Sequence, residues 1–242
     1  MPRFFVEQIE GGQVVLTGPD AAHMCKSLRM KPGDTVTLCD TKGFDYQCVI
    51  QRLSPEKAAL TIIDKHHCEN EPSASVILYQ GLPKGEKMDW IVQKAVELGV
   101  SEIVPVKMER CVSRPDGKSA QKKTERWQKI AAEAAKQCGR GILPRVCPLA
   151  DFSQALHQAA KAQAFLFCYE GGGASISTLV NGETKTVSVF IGPEGGFSLA
   201  EAEAVQKAGG MPVTLGRRIL RTETAPLAAL AVIMYASGNM EP

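Results

Sequence analysis

Two segments near the carboxyl end of the chain share one pattern. In each, an apolar stretch ends at a glycine and leads through a polar loop into a helix; they are residues 189–198 and 215–226. Glycines at strand ends let backbone groups approach a ligand closely. Two such strand ends in one sheet can build a pocket. The segments therefore predict a binding pocket walled largely by main chain.

The region around these segments alternates between strand-like and helix-like patterns. Apolar runs predict strands over residues 76–80, 102–106, 164–169, 186–191 and 212–215. Helical spacing predicts helices over residues 86–98, 122–138 and 151–161. Ser198 and Glu201 form a capping-box pattern at the start of another helix. This alternation predicts an α/β domain with a mostly parallel sheet and flanking helices.

Residues 1–70 show a different pattern, with short strand-like runs between turn residues. The runs are residues 3–7, 13–17, 35–39, 46–53 and 58–64, with a short helix predicted over 19–28. Strands this closely spaced suggest a small β-barrel. The predicted organisation is a barrel domain over residues 1–70, a linker over 71–75 and a larger domain over 76–242.

Charge and cysteine content limit the classes of function. The chain of 242 residues has a net charge of +2, but residues 107–145 hold eleven Lys or Arg against four acids. Such a basic surface suits phosphate backbones, although a solvated helix face is an equal alternative. No apolar run reaches the ~18 residues of a membrane span. The eight cysteines lack zinc-site spacing, and no signal peptide is recognised, so we expect no metal, reduced thiols and a cytoplasmic location.

The two loops carry the residues with most chemical potential. Neither contains a Walker motif or G-x-G-x-x-G, which removes the usual phosphate and dinucleotide sites. Glu194 adds a carboxylate that favours a cationic ligand, although a tight turn with a surface Glu is an alternative. The second loop adds Arg217, Arg218 and Arg221, then Thr222, Glu223 and Thr224. Helix capping by Thr224 would explain only part of this polar cluster.

Several further motifs occur in order along nearly the whole chain. They are residues 3–5, 28–30, 85–88, 93–94, 97–100, 109–111, 127–130 and 137–140, beside 192–196 and 220–225. Together they resemble the SPOUT class of RNA methyltransferases, and within it the RsmE family. That family methylates N3 of a uridine in small-subunit (16S) ribosomal RNA.

The resemblance implies a fold, a cofactor and partners. The larger domain would carry a carboxyl-terminal trefoil knot, which is an exception to the rule against threaded chains. The barrel would be a PUA-like RNA-binding domain. The cofactor would be S-adenosylmethionine, and the substrate either free small-subunit ribosomal RNA or the assembled small subunit. The protein would be a homodimer, with the apolar helix over residues 227–236 as a sensible interface element.

The resemblance also implies which residues form the site. The cofactor-binding residues would be Tyr169, Ile191, Gly192, Glu194, Gly195, Gly196, Leu215, Gly216, Ile219, Leu220, Thr222 and Ala225. Arg221 is the first catalytic candidate, because a fixed guanidinium can stabilise a deprotonated uridine. The proton acceptor could be Glu223, Glu194 or water. The RNA-binding residues would be Arg3, Arg29, Arg110 and Arg140, although a surface salt bridge equally explains Arg29.

Three other functions are compatible with parts of the sequence. A non-catalytic RNA-binding or ribosome-assembly factor would keep the fold with a vestigial pocket, but the cluster around Arg221 argues against it. A nucleotide-dependent hydrolase is disfavoured by the missing phosphate-loop motifs. A methyltransferase acting on another RNA is separated from the favoured function only by the family resemblance.

Overall fold

The computed structural model describes residues 1–9 and 11–241. They form two compact units. The first comprises Met1–Glu71 together with Ala135–Leu143, and the second comprises Pro72–Ala134 and the chain from Pro144 onward. The domain boundaries given above stay a prediction. Reading along the chain did not indicate that the segment 135–143 would group with the amino-terminal residues.

The first unit is built on a five-stranded sheet. Its strands are β1 (Arg3–Phe5), β2 (Gln13–Thr17), β3 (Thr35–Cys39), β4 (Phe44–Leu53) and β5 (Lys57–His67). The order is β1-β3-β4-β5-β2, with β1 and β3 parallel and the other pairs antiparallel. Alternation in β2 turns Val14 and Leu16 into the core, where they join Phe4, Leu38 and Ile50.

A short helix covers part of this core. Helix α1 (Pro19–Ala22) continues directly into one turn of π-helix at His23–Ser27. Ala21 and Met24 are its buried residues. The sequence predicted one regular helix over this stretch, and helical spacing alone did not reveal the widened turn. Proline at the first helical position accounts for where α1 begins.

The second unit contains a seven-stranded sheet. Its strands are β6 (Ser75–Gly81), β7 (Glu102–Lys107), β8 (Arg145–Val146), β9 (Ala150–Asp151), β10 (Ala164–Cys168), β11 (Thr186–Ile191) and β12 (Met211–Val213). The order is β12-β10-β11-β6-β7-β8, and β9 also pairs with β7. Every pairing is parallel, which confirms the predicted sheet. Strands of such a sheet are covered on both faces, and β11 is accordingly buried from Val187 to Ile191.

Five helices belong to the strand–helix alternation. They are α2 (Lys87–Glu97), α3 (Gly117–Cys138), α4 (Phe152–Ala159), α5 (Leu199–Lys207) and α6 (Ala225–Ala236). The predicted capping box is present at α5, where Ser198 and Glu201 each accept a hydrogen bond from the other's backbone N–H. Helix α3 begins five residues earlier than predicted, because Asp116 Oδ1 accepts from Ser119 N at 2.8 Å and caps it.

Two further observations concern the helices. Trp127 of α3 is buried and donates a hydrogen bond to Asp89 of α2. Within residues 1–9 and 11–241, no helix is both long and apolar enough to cross a bilayer.

Candidate active site

A cavity of about 410 Å³ lies where β10, β11 and β12 end. The three strands are neighbours and run parallel, so their carboxyl ends meet at one edge of the sheet. The cavity is lined by residues 168–170, 191–194, 196–197, 213–222 and 225, together with Lys87. Pockets for small ligands commonly measure roughly 300–1,000 Å³. This cavity is therefore large enough for a small organic ligand.

The cavity brings together most of the residues that the sequence proposed for cofactor binding. Those that line it are Tyr169, Ile191, Gly192, Glu194, Gly196, Leu215, Gly216, Ile219, Leu220, Thr222 and Ala225. Gly195 does not line it, and its carbonyl accepts a hydrogen bond from Arg110 Nη1 at 2.9 Å. Their part in cofactor binding stays a prediction.

Two glycines after β10 lie very close to neighbouring parts of the chain. A Cβ on Gly171 would lie 2.5 Å from Cε1 of the Tyr169 ring, and one on Gly173 would lie 2.2 Å from the Pro212 carbonyl oxygen. The contact at Gly173 is with backbone, so that position needs glycine, whereas the Tyr169 side chain would have to move to admit a Cβ at Gly171. The glycine-rich segment 171–173 thus lies beside the wall after β10 without lining the cavity.

One buried hydroxyl joins three segments beside the cavity. Thr222 donates to the Gly192 carbonyl at 2.9 Å and accepts from Gln80 Nε2 at 3.1 Å. Gln80 is fully buried near the end of β6, and its amide also donates to the Gly81 carbonyl. These bonds fix the loop after β11 against the segment before α6. Sequence reasoning missed Gln80, because it is 142 residues from Thr222 along the chain.

Two acidic side chains beside the cavity share one basic partner; Lys87 and Glu194 line the cavity, whereas Glu223 does not. Lys87 Nζ lies 2.9 Å from Glu194 Oε1 and 3.3 Å from Glu223 Oε2. Glu194 also accepts a hydrogen bond from the Lys84 backbone N–H. Burial acts to raise the pKa of Glu194, but its hydrogen bonds, led by the one from Lys87, leave that pKa below its usual value. The same hydrogen bond raises the pKa of Lys87, so both groups are charged at neutral pH.

Three arginines at the cavity are available to a ligand. Arg217, Arg218 and Arg221 line it and are exposed. None of their side chains forms an ion pair or hydrogen bond with another residue in the described part of the chain. A guanidinium without a protein partner can bind an anion bidentately. Arg221 thus keeps its predicted role as a catalytic candidate, and Arg217 and Arg218 join it at the site.

A cysteine in the wall is chemically inert at neutral pH. Cys168 lines the cavity, and burial raises the pKa of its thiol to about 12. The thiolate is the nucleophilic form of cysteine. Because Cys168 stays protonated, the arrangement favours direct transfer between two bound reactants over a covalent enzyme intermediate.

The four proposed RNA-binding arginines have two different environments. Arg29 and Arg110 are exposed. Arg3 is paired with Asp45 at 2.7 Å, and Arg140 is paired with Glu71 at 2.7 Å, with their side chains only 13% and 5% exposed. These two ion pairs join parts of the first unit, which favours a structural role for Arg3 and Arg140. RNA contact by any of the four stays a prediction.

The described part of the chain contains no evident metal site. Within residues 1–9 and 11–241, no three His, Cys, Asp or Glu side chains are grouped as metal ligands would be. His66 is followed by His67 and Cys68 in the sequence, but its Nδ1 lies 3.2 Å from Oδ2 of Asp64. All eight cysteines are free.

Comparison with known proteins places this site in a family. Residues 69–234 match the family model described as RNA methyltransferase domain, and residues 16–63 match the one described as RNA methyltransferase PUA domain. Ribosomal RNA small subunit methyltransferase E of Bacillus subtilis (strain 168) is 38% identical, over 97% of this chain and 96% of that protein.

Solved structures give the same result. Ribosomal RNA small subunit methyltransferase E from Neisseria gonorrhoeae, bound to S-adenosyl methionine, is 33% identical with a TM-score of 0.88, over 97% of each chain. A Legionella pneumophila protein solved with the cofactor SAM is 30% identical, also with a TM-score of 0.88 over 97% of each chain. The amino-terminal unit thus contains the predicted PUA domain, and the chain belongs to the RNA methyltransferase family that includes ribosomal RNA small subunit methyltransferase E.

Proposed function

We propose that the protein uses S-adenosylmethionine to methylate N3 of a specific uridine in small-subunit ribosomal RNA. The observation that carries this proposal is the cavity at the ends of β10, β11 and β12, with three unpaired arginines on its wall. The names of the curated relatives support the RNA substrate. The relatives solved with S-adenosylmethionine support the cofactor.

The residues of the cavity fit this cofactor. Main-chain groups of the loops after β10, β11 and β12 would hold its polar ends, while Phe197 and Ile191 provide apolar surface. Glu170 and Glu194 add negative charge to the same walls. When bound, the cofactor supplies a methyl group on a positively charged sulfur, and the electron pair of the breaking carbon–sulfur bond stays with sulfur.

The protein's task is to make uridine N3 nucleophilic. N3 carries a proton at neutral pH, so the N–H bond must break before its electron pair can bond to the methyl carbon. Arg221 would stabilise the resulting anion through charge-assisted hydrogen bonds. Glu223 is favoured as proton acceptor over Glu194, whose pKa is held low by hydrogen bonds. Orientation of two bound reactants can supply roughly 7–11 kcal/mol, so a strong base is unnecessary.

Substrate binding would involve exposed basic residues in both units. Arg29 and Arg110 are the predicted RNA contacts with exposed side chains. The target base must leave its stack to reach the cavity, as bases do in other enzymes that modify them. The substrate is free ribosomal RNA or the assembled small subunit, and the protein would act in the cytoplasm, where that RNA is found.

Two further properties of the family belong to this proposal. The carboxyl-terminal segment would be threaded as a trefoil knot, which agrees with the hydrogen bond from Thr222, after β12, to the loop after β11.

The protein would act as a homodimer through α6, an apolar helix whose Tyr235 is 66% exposed. Light scattering of the purified protein measures the oligomeric state directly, and a monomer at micromolar concentration would contradict the dimer.

Nucleoside mapping of ribosomal RNA tests the proposed reaction. Small-subunit RNA from cells that lack the protein should lose one 3-methyluridine, detected by mass spectrometry. The wild-type gene should restore it, and an Arg221→Ala gene should not. An unchanged methylation map would reject the substrate, while calorimetry without heat at millimolar S-adenosylmethionine would indicate a non-catalytic RNA-binding factor.

A further inference from the structure

One basic side chain connects two carboxylates from different segments at the cavity. Lys87 lies in the first turn of α2, Glu194 follows β11 and Glu223 precedes α6. We propose that Lys87 is a positioning residue, which fixes Glu194 as a structural anchor and holds Glu223 where it accepts the proton of the target base. This inference rests on the proposed function.

The two carboxylates differ in their hydrogen bonds. Glu194 Oε1 accepts from Lys87 Nζ at 2.9 Å and from the Lys84 N–H at 3.1 Å. Glu223 Oε2 is buried 3.3 Å from Lys87 Nζ, but no hydrogen bond of good geometry reaches it from the described residues. A buried oxygen in this condition gains most from a new donor. The Lys87 ammonium group therefore donates its hydrogen bond to Glu194, and Glu223 Oε2 is left free to accept a proton.

The remaining charges near these groups make Lys87 difficult to replace. Besides Lys87 and Glu194, the charged groups that line the cavity are Glu170, Arg217, Arg218 and Arg221, and Arg110 contacts Gly195 next to Glu194. None of these arginines is paired with Glu194 or Glu223. Without Lys87, Glu194 would lose the side-chain donor that lowers its pKa, and Glu223 would lose the cation 3.3 Å from its Oε2.

A matched control lies on the same helix. Lys94 of α2 pairs with Glu97 at 2.7 Å, and both side chains are 29% exposed, close to the 32% and 33% of Lys87 and Glu194. Lys94 does not line the cavity. Lys94→Met therefore removes a comparable ion pair from α2 without changing the groups that the proposal concerns.

A first test uses the protein without cofactor or RNA. In Lys87→Met, carbon-13 NMR titration should show a raised pKa for Glu194, and hydrogen exchange should become faster at residues 193–196 and 221–225. Neither quantity should change in Lys94→Met. A Glu194 pKa that is equal in both variants would overturn the role of Lys87. This readout does not depend on enzymatic activity, so it stands even if the proposed reaction is wrong.

A second test uses methyl transfer by the wild-type protein as its reference. Lys87→Met should lower kcat about tenfold or more, leave KM for S-adenosylmethionine within about threefold, and move the acidic limb of the kcat profile to higher pH. Lys87→Arg should restore most of kcat. If Lys87→Met lowers thermal stability but leaves the acidic limb in place, its role is only structural and the proposal fails. Absence of wild-type activity would instead reject the proposed function.

Discussion

Two arginines of the first unit and three arginines of the second have opposite environments. In the first unit, Arg3 and Arg140 are largely buried and paired with Asp45 and Glu71. In the second unit, Arg217, Arg218 and Arg221 are exposed at the cavity, and their side chains have no partner within the described residues. A paired guanidinium has satisfied donors, whereas an unpaired one has five N–H groups to offer. The first set therefore suits stability, and the second suits binding of an anion.

The largest expected effect is a loss of methyl transfer when Arg221, one of the three unpaired arginines, is replaced. Arg221→Ala should abolish measurable methyl transfer, with a loss of at least about 100-fold, because removing one donor to a developing anion has effects of that size. Cofactor affinity by calorimetry should stay within about tenfold, or ~1.4 kcal/mol. Arg221→Lys should be intermediate, since it keeps the charge without the planar fork. Normal turnover in Arg221→Ala would remove this residue from the mechanism.

The second largest effect is expected on the stability of the protein when Arg140, one of the two paired arginines, is replaced. Arg140→Ala removes the cationic partner of Glu71, whose side chain is 15% exposed and which would keep only the Gly141 and Ile142 N–H donors. Breaking such a pair should lower the free energy of unfolding by about 3–5 kcal/mol, measured by urea denaturation. Arg52→Ala, at an exposed position of β4, is the control and should change it by less than about 0.5 kcal/mol. Equal stability of the two variants would contradict a structural role for Arg140.

A smaller effect, on RNA binding, should distinguish Arg110 from both the paired and the unpaired arginines. Its guanidinium is exposed but donates to the Gly195 carbonyl, which leaves other N–H groups for a phosphate. Arg110→Ala should weaken RNA binding, and the slope of log K against log salt should fall in magnitude by about 1. Filter binding at several salt concentrations measures both quantities. The exposed Lys207 of α5 provides a control, and an equal slope in Lys207→Ala and Arg110→Ala would reject a phosphate contact.

The smallest effect should come from the exposed ion pair of Glu194. Because the pKa of Glu194 is lower in the folded protein, its ionised form stabilises the fold above the usual Glu pKa. That contribution is lost as the pH falls through the folded-state value. Glu194→Gln should therefore destabilise the protein by less than about 1 kcal/mol at about pH 7, and by less at about pH 3 than at about pH 7. Thermal unfolding at both pH values measures the difference, and a larger effect at the lower pH would have the wrong sign.

Local patterns account for what the sequence predicted well. The strand-end residues Ile191, Gly192 and Leu215 could be recognised because apolar runs and glycines are read within a few neighbours. The parallel sheet followed from the alternation of such runs with helical spacing. The capping box at Ser198 was equally local, since it involves a residue only three positions away.

Contacts between distant residues account for what the sequence did not predict. Lys87 is 107 residues from Glu194, and nothing in its own segment indicated that they pair. Arg140 is 69 residues from Glu71, so its basic character suggested RNA while its tertiary contact favours stability. The π-helical turn after Ala22 was missed for another reason, because a single turn of five residues is too short to show a spacing of its own.

The hydroxyl of Thr222 has a consequence for how this protein tolerates change. It accepts a hydrogen bond from the Gln80 side-chain amide and donates one to the Gly192 carbonyl, and both partners are buried. Thr222→Val keeps nearly the same shape but removes both hydrogen bonds. The Gln80 amide and the Gly192 carbonyl would each lose this partner, and each loss should lower the free energy of unfolding by about 1–3 kcal/mol. A single oxygen atom thus makes one position intolerant of an otherwise isosteric replacement, whereas serine would preserve the link.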